Sequence, residues 1–154
     1  MSIDHRSLID TLVDAINRAD WEILDRLYTV DTVMEYPQSG EVFRGIANVR
    51  ATFEQYRGDL GGGRVQTENV ISERPQYAIT PMYTAVAVEG SGTRGTVALR
   101  ATYPDGSLWW VVTLYELTGN RISHATVFFG PALEAAEGRA PYREGSPRGA
   151  ATAS

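Results

Sequence analysis

The chain has 154 residues, of which 43% are hydrophobic and 21% charged, with a formal net charge of −5, two histidines and no cysteine. The length predicts a single domain, the composition is that of an ordinary globular protein, and the acidic balance argues against nucleic acid as a partner. Without cysteine there is neither a disulfide nor a thiolate metal site, and two histidines cannot complete a metal site of three or four ligands, so no metal or cofactor is expected.

The sequence shows no signal for targeting or membrane insertion. Its first ten residues, MSIDHRSLID, lack both the positively charged start and the apolar run of a signal peptide. No stretch approaches the roughly eighteen consecutive apolar residues of a membrane-spanning helix. We therefore expect a soluble, cytoplasmic protein that has no membrane partner.

Helices are predicted in the first third of the chain. Apolar residues recur at helical spacing over residues 8–19, and a second short helix is predicted over residues 21–28, with Asp20 placed to cap it. A short strand follows over residues 32–36 and ends before a proline. After a turn and a short extended piece, a third helix is predicted over residues 46–56.

From residue 64 the apolar pattern changes from helical to extended. Strands are predicted over residues 64–74, 82–90 and 96–103. A long hairpin then spans residues 113–130, with Gly119-Asn120 as its turn. Helices first and strands later predict an α+β fold with the helices packed on one face of a mostly antiparallel sheet. We assign residues 1–135 to one domain and residues 136–154 to a flexible tail.

The Pro104-Asp105-Gly106 turn predicts the register of the two strands that flank it. One face of the sheet then carries three facing pairs, and the other face pairs an arginine with a tryptophan. The predicted pairs are Val97 with Thr113, Leu99 with Val111, Ala101 with Trp109, and Arg100 with Trp110.

This order of elements resembles the nuclear transport factor 2-like superfamily, and within it the SnoaL-like polyketide cyclases and the ketosteroid isomerases. The resemblance covers about residues 5–135 and depends on three segments: the AD-W-x-x-L step at 19–24, the DTVMEYP strand at 31–37 and the GNRI…FFG ending at 119–130. It implies a cone-shaped fold, in which a curved sheet wraps around the first helices and encloses an apolar pocket. Homodimers are common in this superfamily.

The resemblance also points to positions where relatives carry catalytic groups. The carboxylate base of ketosteroid isomerases corresponds to Tyr36, their phenol donor to Leu12, and their protonated carboxylic acid to Thr113. Epoxide hydrolases of the superfamily have an Arg and two Asp where this chain has Val111, Thr113 and Val127. SnoaL-type cyclases have an acid/base Asp on the final strand, whose inward positions here hold Ala125, Val127 and Phe129.

Tyr36 and His124 are the two candidate catalytic residues. Tyr36 can donate a hydrogen bond to a carbonyl or enolate-like oxygen, although it could equally be a core aromatic whose hydroxyl is satisfied by backbone. His124, taken as the only histidine inside the fold, has the ordinary chemistry of an acid/base. Strand alternation predicts that His124 and Glu35 point away from the pocket, and a shift of one residue in register would reverse this.

A set of mostly aromatic residues is predicted to bind a substrate. Their alternative role is plain core packing, but together they favour an apolar small molecule over a sugar or a phosphate. The predicted substrate-binding residues are Tyr28, Phe53, Tyr56, Trp109, Thr113, Tyr115, Val127 and Phe129. The opposite face, with Trp110, Val112, Leu114 and Phe128, is too apolar to be left in water, which predicts a homodimer through the outer sheet.

Two functions are consistent with these features. The first is a metal-free isomerase, cyclase or dehydratase that acts on a polyketide-, terpenoid- or steroid-like substrate in the cone. The second is a non-catalytic ligand-binding or dimerisation module that has lost the acid and base of its relatives. A carboxylate from Glu68 or Glu73 on the strand at 64–74 would favour the enzyme. A cone filled by Trp109, Phe53 and Phe129 would exclude both ligand-based functions.

Overall fold

A computed structural model describes residues 2–58, 82–102 and 108–145. Within these ranges the helices come first and the longest strands last. The elements are α1 (His5–Arg18), α2 (Trp21–Leu27), β1 (Tyr28–Tyr36), β2 (Glu41–Arg44), α3 (Ile46–Gly58), β3 (Met82–Ser91), β4 (Arg94–Thr102), β5 (Leu108–Thr118), β6 (Arg121–Pro131) and a 3-10 turn (Glu137–Tyr142).

The six strands form one curved, unclosed sheet in the order β2-β1-β6-β5-β4-β3. β1 runs parallel to β6, and the other four neighbouring pairs are antiparallel. The predicted α+β class and the mostly antiparallel sheet are therefore confirmed. None of the described helices is long and apolar enough to cross a membrane.

The predicted register of the central strands is confirmed. Val97 lies opposite Thr113, Leu99 opposite Val111, and the Arg100–Trp110 pair occupies the other face. The 104–106 turn that predicted this register lies outside the described residues. At the tip of the β5–β6 hairpin, Gly119 has a φ of +62°, a conformation that favours glycine.

Several element boundaries differ from the prediction. β1 begins at Tyr28 rather than at residue 32, because its first residue already pairs with Ile122 of β6. Asp20 occupies the N-cap position of α2 but its side chain makes no capping hydrogen bond. The predicted strand at 64–74 and the tail beyond residue 145 lie outside the described residues.

The core lies between the helices and the face of the sheet that they cover. Ile9, Leu12 and Ile16 of α1 are buried against Val97, Leu99 and Val111. α1 also lies along the edge strand β3, where Asn17 forms two hydrogen bonds with the backbone of Tyr83. Its Nδ2 donates to the carbonyl at 2.9 Å, and its Oδ1 accepts from the amide at 2.8 Å. One amide side chain thus pairs the helix with the edge of the sheet.

Replacement of Asn17 by Ala should lower the free energy of unfolding by about 1–2 kcal/mol, because two part-buried hydrogen bonds are lost. Urea denaturation measures this change. The matched control is Asn48→Ala, since Asn48 is exposed and its amide donates only locally, to the carbonyl of Arg44 four residues earlier. An equal loss in both variants would contradict the role of Asn17 in holding β3.

Candidate functional site

An apolar cavity of about 60 Å³ lies between the helices and the covered face of the sheet. Its described walls come from α1, from β1 and α3, and from strands β3 to β6. The lining residues are Ile9, Leu12, Val13, Ile16, Tyr28, Met34, Tyr36, Phe53, Tyr83, Val97, Leu99, Val111, Thr113, Tyr115, Ile122, Ala125, Val127 and Phe129. The cone is therefore not filled by its own side chains.

Most of the predicted site residues line this cavity. Tyr36 does so, as do six of the eight predicted substrate-binding residues: Tyr28, Phe53, Thr113, Tyr115, Val127 and Phe129. Trp109 is not among the described lining residues, although it is partly buried and packs against the core. It has the predicted facing and pairs with Pro131 at the end of β6, and its contact with a substrate stays a prediction. The side chain of Tyr56 lies outside the described part of the structure.

His124 lies on the opposite face of the sheet from the cavity. Its Nε2 is 3.1 Å from a carboxylate oxygen of Glu35, and both side chains are partly exposed. The alternation of β6 explains this, because Ala125 and Val127 are buried and line the cavity, and His124 is one residue out of phase with them. A catalytic role in the cavity would need His124 on the other face, so the geometry leaves Tyr36 as the candidate there.

The expectation that His124 is the only histidine inside the fold is wrong. His5, at the start of α1, is only 8% exposed. Its Nδ1 lies 2.8 Å from the hydroxyl of Tyr115, and its Nε2 lies 3.0 Å from the carbonyl oxygen of Gly92. Helical periodicity does not reveal this position, because His5 precedes the apolar stripe of the helix.

Six lining residues are partly exposed, namely Val13, Tyr36, Phe53, Tyr83, Thr113 and Phe129. We call the four aromatic ones the rim: Tyr36, Phe53, Tyr83 and Phe129. The ring of Tyr36 stacks on that of Phe129, with centroids 5.3 Å apart and planes 2° apart. The hydroxyl of Tyr36 donates to the sulfur of Met34 at 3.1 Å, which is a weak acceptor. A ligand oxygen would be a better partner for this hydroxyl.

A glutamine fixes the rim from outside the sheet. Gln38 donates to the carbonyl of Phe129 at 2.7 Å and accepts from its amide at 2.5 Å. The parallel pairing of β1 with β6 extends to Glu35 and Thr126. The side chain of Gln38 thus continues this pairing three residues further along β6, and holds the backbone of Phe129 beside Tyr36.

Tyr28 is a buried phenol of the cavity wall, at 3% exposure. No hydrogen-bond partner of its hydroxyl is found among the described residues. Burial, and secondarily the neighbouring Tyr36, raise the pKa of Tyr28 above its ordinary range, so the group stays protonated and remains a donor. None of the described lining residues carries a carboxylate, and the candidates Glu68 and Glu73 lie outside the described ranges.

Sequence reasoning missed Met34, Tyr83 and His5. Met34 could have been predicted from the sequence, because it lies two residues before Tyr36 and must share its face of β1. Tyr83 joins the rim through the β3–β4 pairing, which places it opposite Ala101. Within the described part of the chain, no group of three or more His, Asp or Glu side chains could hold a metal ion.

A family model, the SnoaL-like domain, matches residues 9–125. This match covers more than half of the chain, so the chain belongs to the SnoaL-like domain family. The resemblance found in the sequence is thereby confirmed. No curated protein matches the chain significantly.

Solved structures of low sequence identity share the fold. A putative ketosteroid isomerase from Kribbella flavida is 22% identical with a TM-score of 0.69, over 93% of this chain and 90% of that one. An NTF-2 like protein of unknown function from Burkholderia xenovorans is 19% identical with a TM-score of 0.67, over 92% and 94%. An LEH-like epoxide hydrolase from M. tuberculosis is 14% identical with a TM-score of 0.57, over 80% of each chain. These likenesses establish the nuclear transport factor 2-like fold and leave the chemistry open.

Alkaline pH should destabilise the protein through Tyr28. Its pKa in the folded state is raised above the ordinary 10.0, so the stability it contributes is complete below that pH and is lost as the pH rises above it. The loss is at most about 1.4 kcal/mol per pH unit. Denaturation between about pH 9 and pH 11 should therefore show a shallower decline for Tyr28→Phe than for the wild type. Equal slopes would contradict the buried, protonated state of this phenol.

Proposed function

We propose that the protein is a metal-free enzyme of the isomerase, cyclase or dehydratase type, acting on a small apolar substrate that carries a carbonyl or enol oxygen. The observation that carries this proposal is the pair of phenols, Tyr28 and Tyr36, in the wall of a mostly apolar cavity. A phenol hydroxyl in such a wall can donate a hydrogen bond to a substrate oxygen. Burial raises the pKa of Tyr28, so its hydroxyl stays protonated and remains a donor.

Tyr28 and Tyr36 would act together on that oxygen. Both line the cavity, and they lie close enough for the charge of one phenolate to raise the pKa of the other. Two neutral phenols can stabilise negative charge that develops on a substrate oxygen during enolisation, dehydration or ring closure. The apolar walls strengthen this interaction, because they exclude water from the site. The stacked Phe129 orients the ring of Tyr36.

The size of the cavity limits the substrate. Its 60 Å³ is below the roughly 150 Å³ of a cavity that binds benzene and the roughly 300–1,000 Å³ of typical ligand sites. A polyketide-, terpenoid- or steroid-like substrate would therefore enter by moving the side chains of the rim. Tyr36 and Phe129 are suited to this movement, since both are partly exposed.

A non-catalytic ligand-binding module is the second candidate function. The favouring observation is that the described lining residues include no carboxylate, where relatives use one as a base. Proton abstraction would then depend on a residue outside the described ranges or on the substrate itself. Binding and turnover, measured separately on the same small molecules, distinguish the two functions.

Tyr36→Phe tests the proposed enzyme. A suitable assay is the conversion of the β,γ-enone 3-cyclohexen-1-one into its conjugated isomer, followed by ultraviolet absorbance, within a wider panel of small enones and hydroxyketones. Loss of one donor to an oxyanion should reduce kcat about 10²–10³-fold while the fold is kept. The matched control is Phe43→Leu, which removes the ring packed edge-on against Tyr36 but leaves its hydroxyl.

The two outcomes that oppose this proposal differ. Unchanged binding and turnover in Tyr36→Phe would remove Tyr36 from the site. Binding of the panel by the wild type without any turnover would support the non-catalytic module instead. Tyr28→Phe should show the same pattern as Tyr36→Phe, because both phenols are assigned to one substrate oxygen.

We further propose that two copies of the chain associate through the outer face of the sheet. This face carries exposed apolar side chains on neighbouring strands, including Leu114 at 45% and Phe128 at 38% exposure, and Phe128 is paired with Val112. An apolar area of this kind in the middle of a sheet is typical of an interface. The partly exposed His124–Glu35 pair borders the area.

Phe128→Glu should convert a dimer into a monomer, because it places a charge at the centre of the apolar face. Sedimentation velocity over a range of concentrations measures this change. Leu133→Glu is the matched control, since Leu133 is 85% exposed and lies outside the strands of the sheet. A monomeric wild type, or a Phe128→Glu variant that stays dimeric, would contradict an interface on this face.

A further inference from the structure

The end of the cavity opposite the rim holds a buried polar pair that the proposed function does not use. Tyr115, which lines the cavity, hydrogen-bonds to Nδ1 of His5 at 2.8 Å. Tyr115 lies opposite Ala125 on β6, whereas the rim residue Phe129 lies four residues further along that strand. At about 3.3 Å per residue, the pair lies about 13 Å from the rim along β6.

Two facing glycines make room for the pair. Gly90 of β3 lies opposite Gly95 of β4. A Cβ on Gly90 would lie within 3.0 Å of the imidazole of His5, and one on Gly95 within 3.0 Å of the phenol of Tyr115, which real Cβ atoms essentially never do. Neither glycine has a positive φ, so the backbone conformation does not require glycine here. The sheet therefore leaves space for these two side chains.

The hydrogen bonds determine which group donates. The carbonyl of Gly92 can only accept, so Nε2 of His5 carries the proton that it donates. In neutral His5, Nδ1 is then an acceptor, and the hydroxyl of Tyr115 donates to it. Burial raises the pKa of Tyr115, which keeps this hydroxyl protonated. With its proton engaged, the phenol oxygen can offer only lone pairs to a ligand.

We propose that Tyr115, held by His5, is an acceptor site for a ligand hydroxyl, so that the cavity selects molecules bearing a phenol or enol O–H. The inference deepens the proposed function and rests on the same cavity. A bound hydroxyl would complete a chain from ligand to Tyr115, His5 and the carbonyl of Gly92, in which each hydrogen bond polarises the next.

The two ends of the cavity then recognise different oxygens. Tyr36 at the rim donates to a carbonyl-type oxygen, and Tyr115 at the far end accepts from a hydroxyl. The substrate class narrows to hydroxylated carbonyl compounds or phenols with an apolar body. A hydrocarbon or a simple ether of the same shape lacks the proton that Tyr115 needs.

Phenol and toluene are matched probes of this site, because they share size and shape but only phenol has a hydroxyl. Titrations followed by NMR of the methyl groups of Ile9, Ile122 and Val127, which line the cavity, give both dissociation constants. One hydrogen bond corresponds to about a tenfold change in affinity. The ratio of the toluene to the phenol dissociation constant should therefore fall about tenfold in Tyr115→Phe. Tyr142→Phe, at a site 84% exposed, should leave it unchanged.

A second measurement uses only the wild-type protein. Nitrogen NMR of labelled histidine at about pH 8 should show His5 protonated at Nε2 and unprotonated at Nδ1. Phenol, but not toluene, should shift the Nδ1 signal of His5. This readout also replaces the variant if Tyr115→Phe does not fold.

The possible failures are distinguishable. If both probes bind but their ratio is the same in Tyr115→Phe, or if His5 carries its proton on Nδ1, the acceptor site is wrong and the proposed function stands. If neither probe perturbs the cavity methyls, both the acceptor site and the ligand cavity behind the proposed function are overturned.

Discussion

The parallel pairing of β1 with β6 is the constraint on which the rest of the site depends. It places Met34 beside Ala125 and joins the N-terminal half of the chain to its last strand. Without it, Tyr28 and Tyr36 would belong to a separate layer from Tyr115 and Phe129. Because β1 and β6 are parallel, a short hairpin turn cannot join them, and a long connection must bring the chain back to the same sheet. This connection includes α3 and the strands β3 to β5, which supply the remaining walls of the cavity.

Local rules predicted the part of the fold that local interactions determine. Alternation along β5 and β6 and one turn were enough to give the register of the central strands and the facing of Val127 and Phe129. The same rules correctly turned His124 away from the cavity. They gave the facing of Trp109 but not its absence from the described lining residues, because the length of a cavity depends on which helices cover the sheet.

The residues that sequence reasoning missed are those placed by long-range contacts. His5 and Tyr115 are 110 residues apart in the chain, and nothing near His5 indicates that it will be buried. The sequence does contain one sign of this contact, because Gly90 and Gly95 lie within strands β3 and β4 and not in the turn that joins them. Glycine in a strand interior often marks the close approach of another group. Tyr83 enters the rim for a similar reason, through the contact of Asn17 with the edge strand.

The two hydrogen bonds between Gln38 and the backbone of Phe129 affect how the cavity admits a ligand. Gln38 is exposed, so its two hydrogen bonds contribute about 1–3 kcal/mol together. Their release costs far less than the roughly 5–15 kcal/mol of global unfolding. A cost of about 1–3 kcal/mol corresponds to a released population of about 1–15%. For a large ligand that enters only when these bonds are released, the affinity would be reduced by that fraction, and a change at Gln38 would alter affinity without touching the ligand.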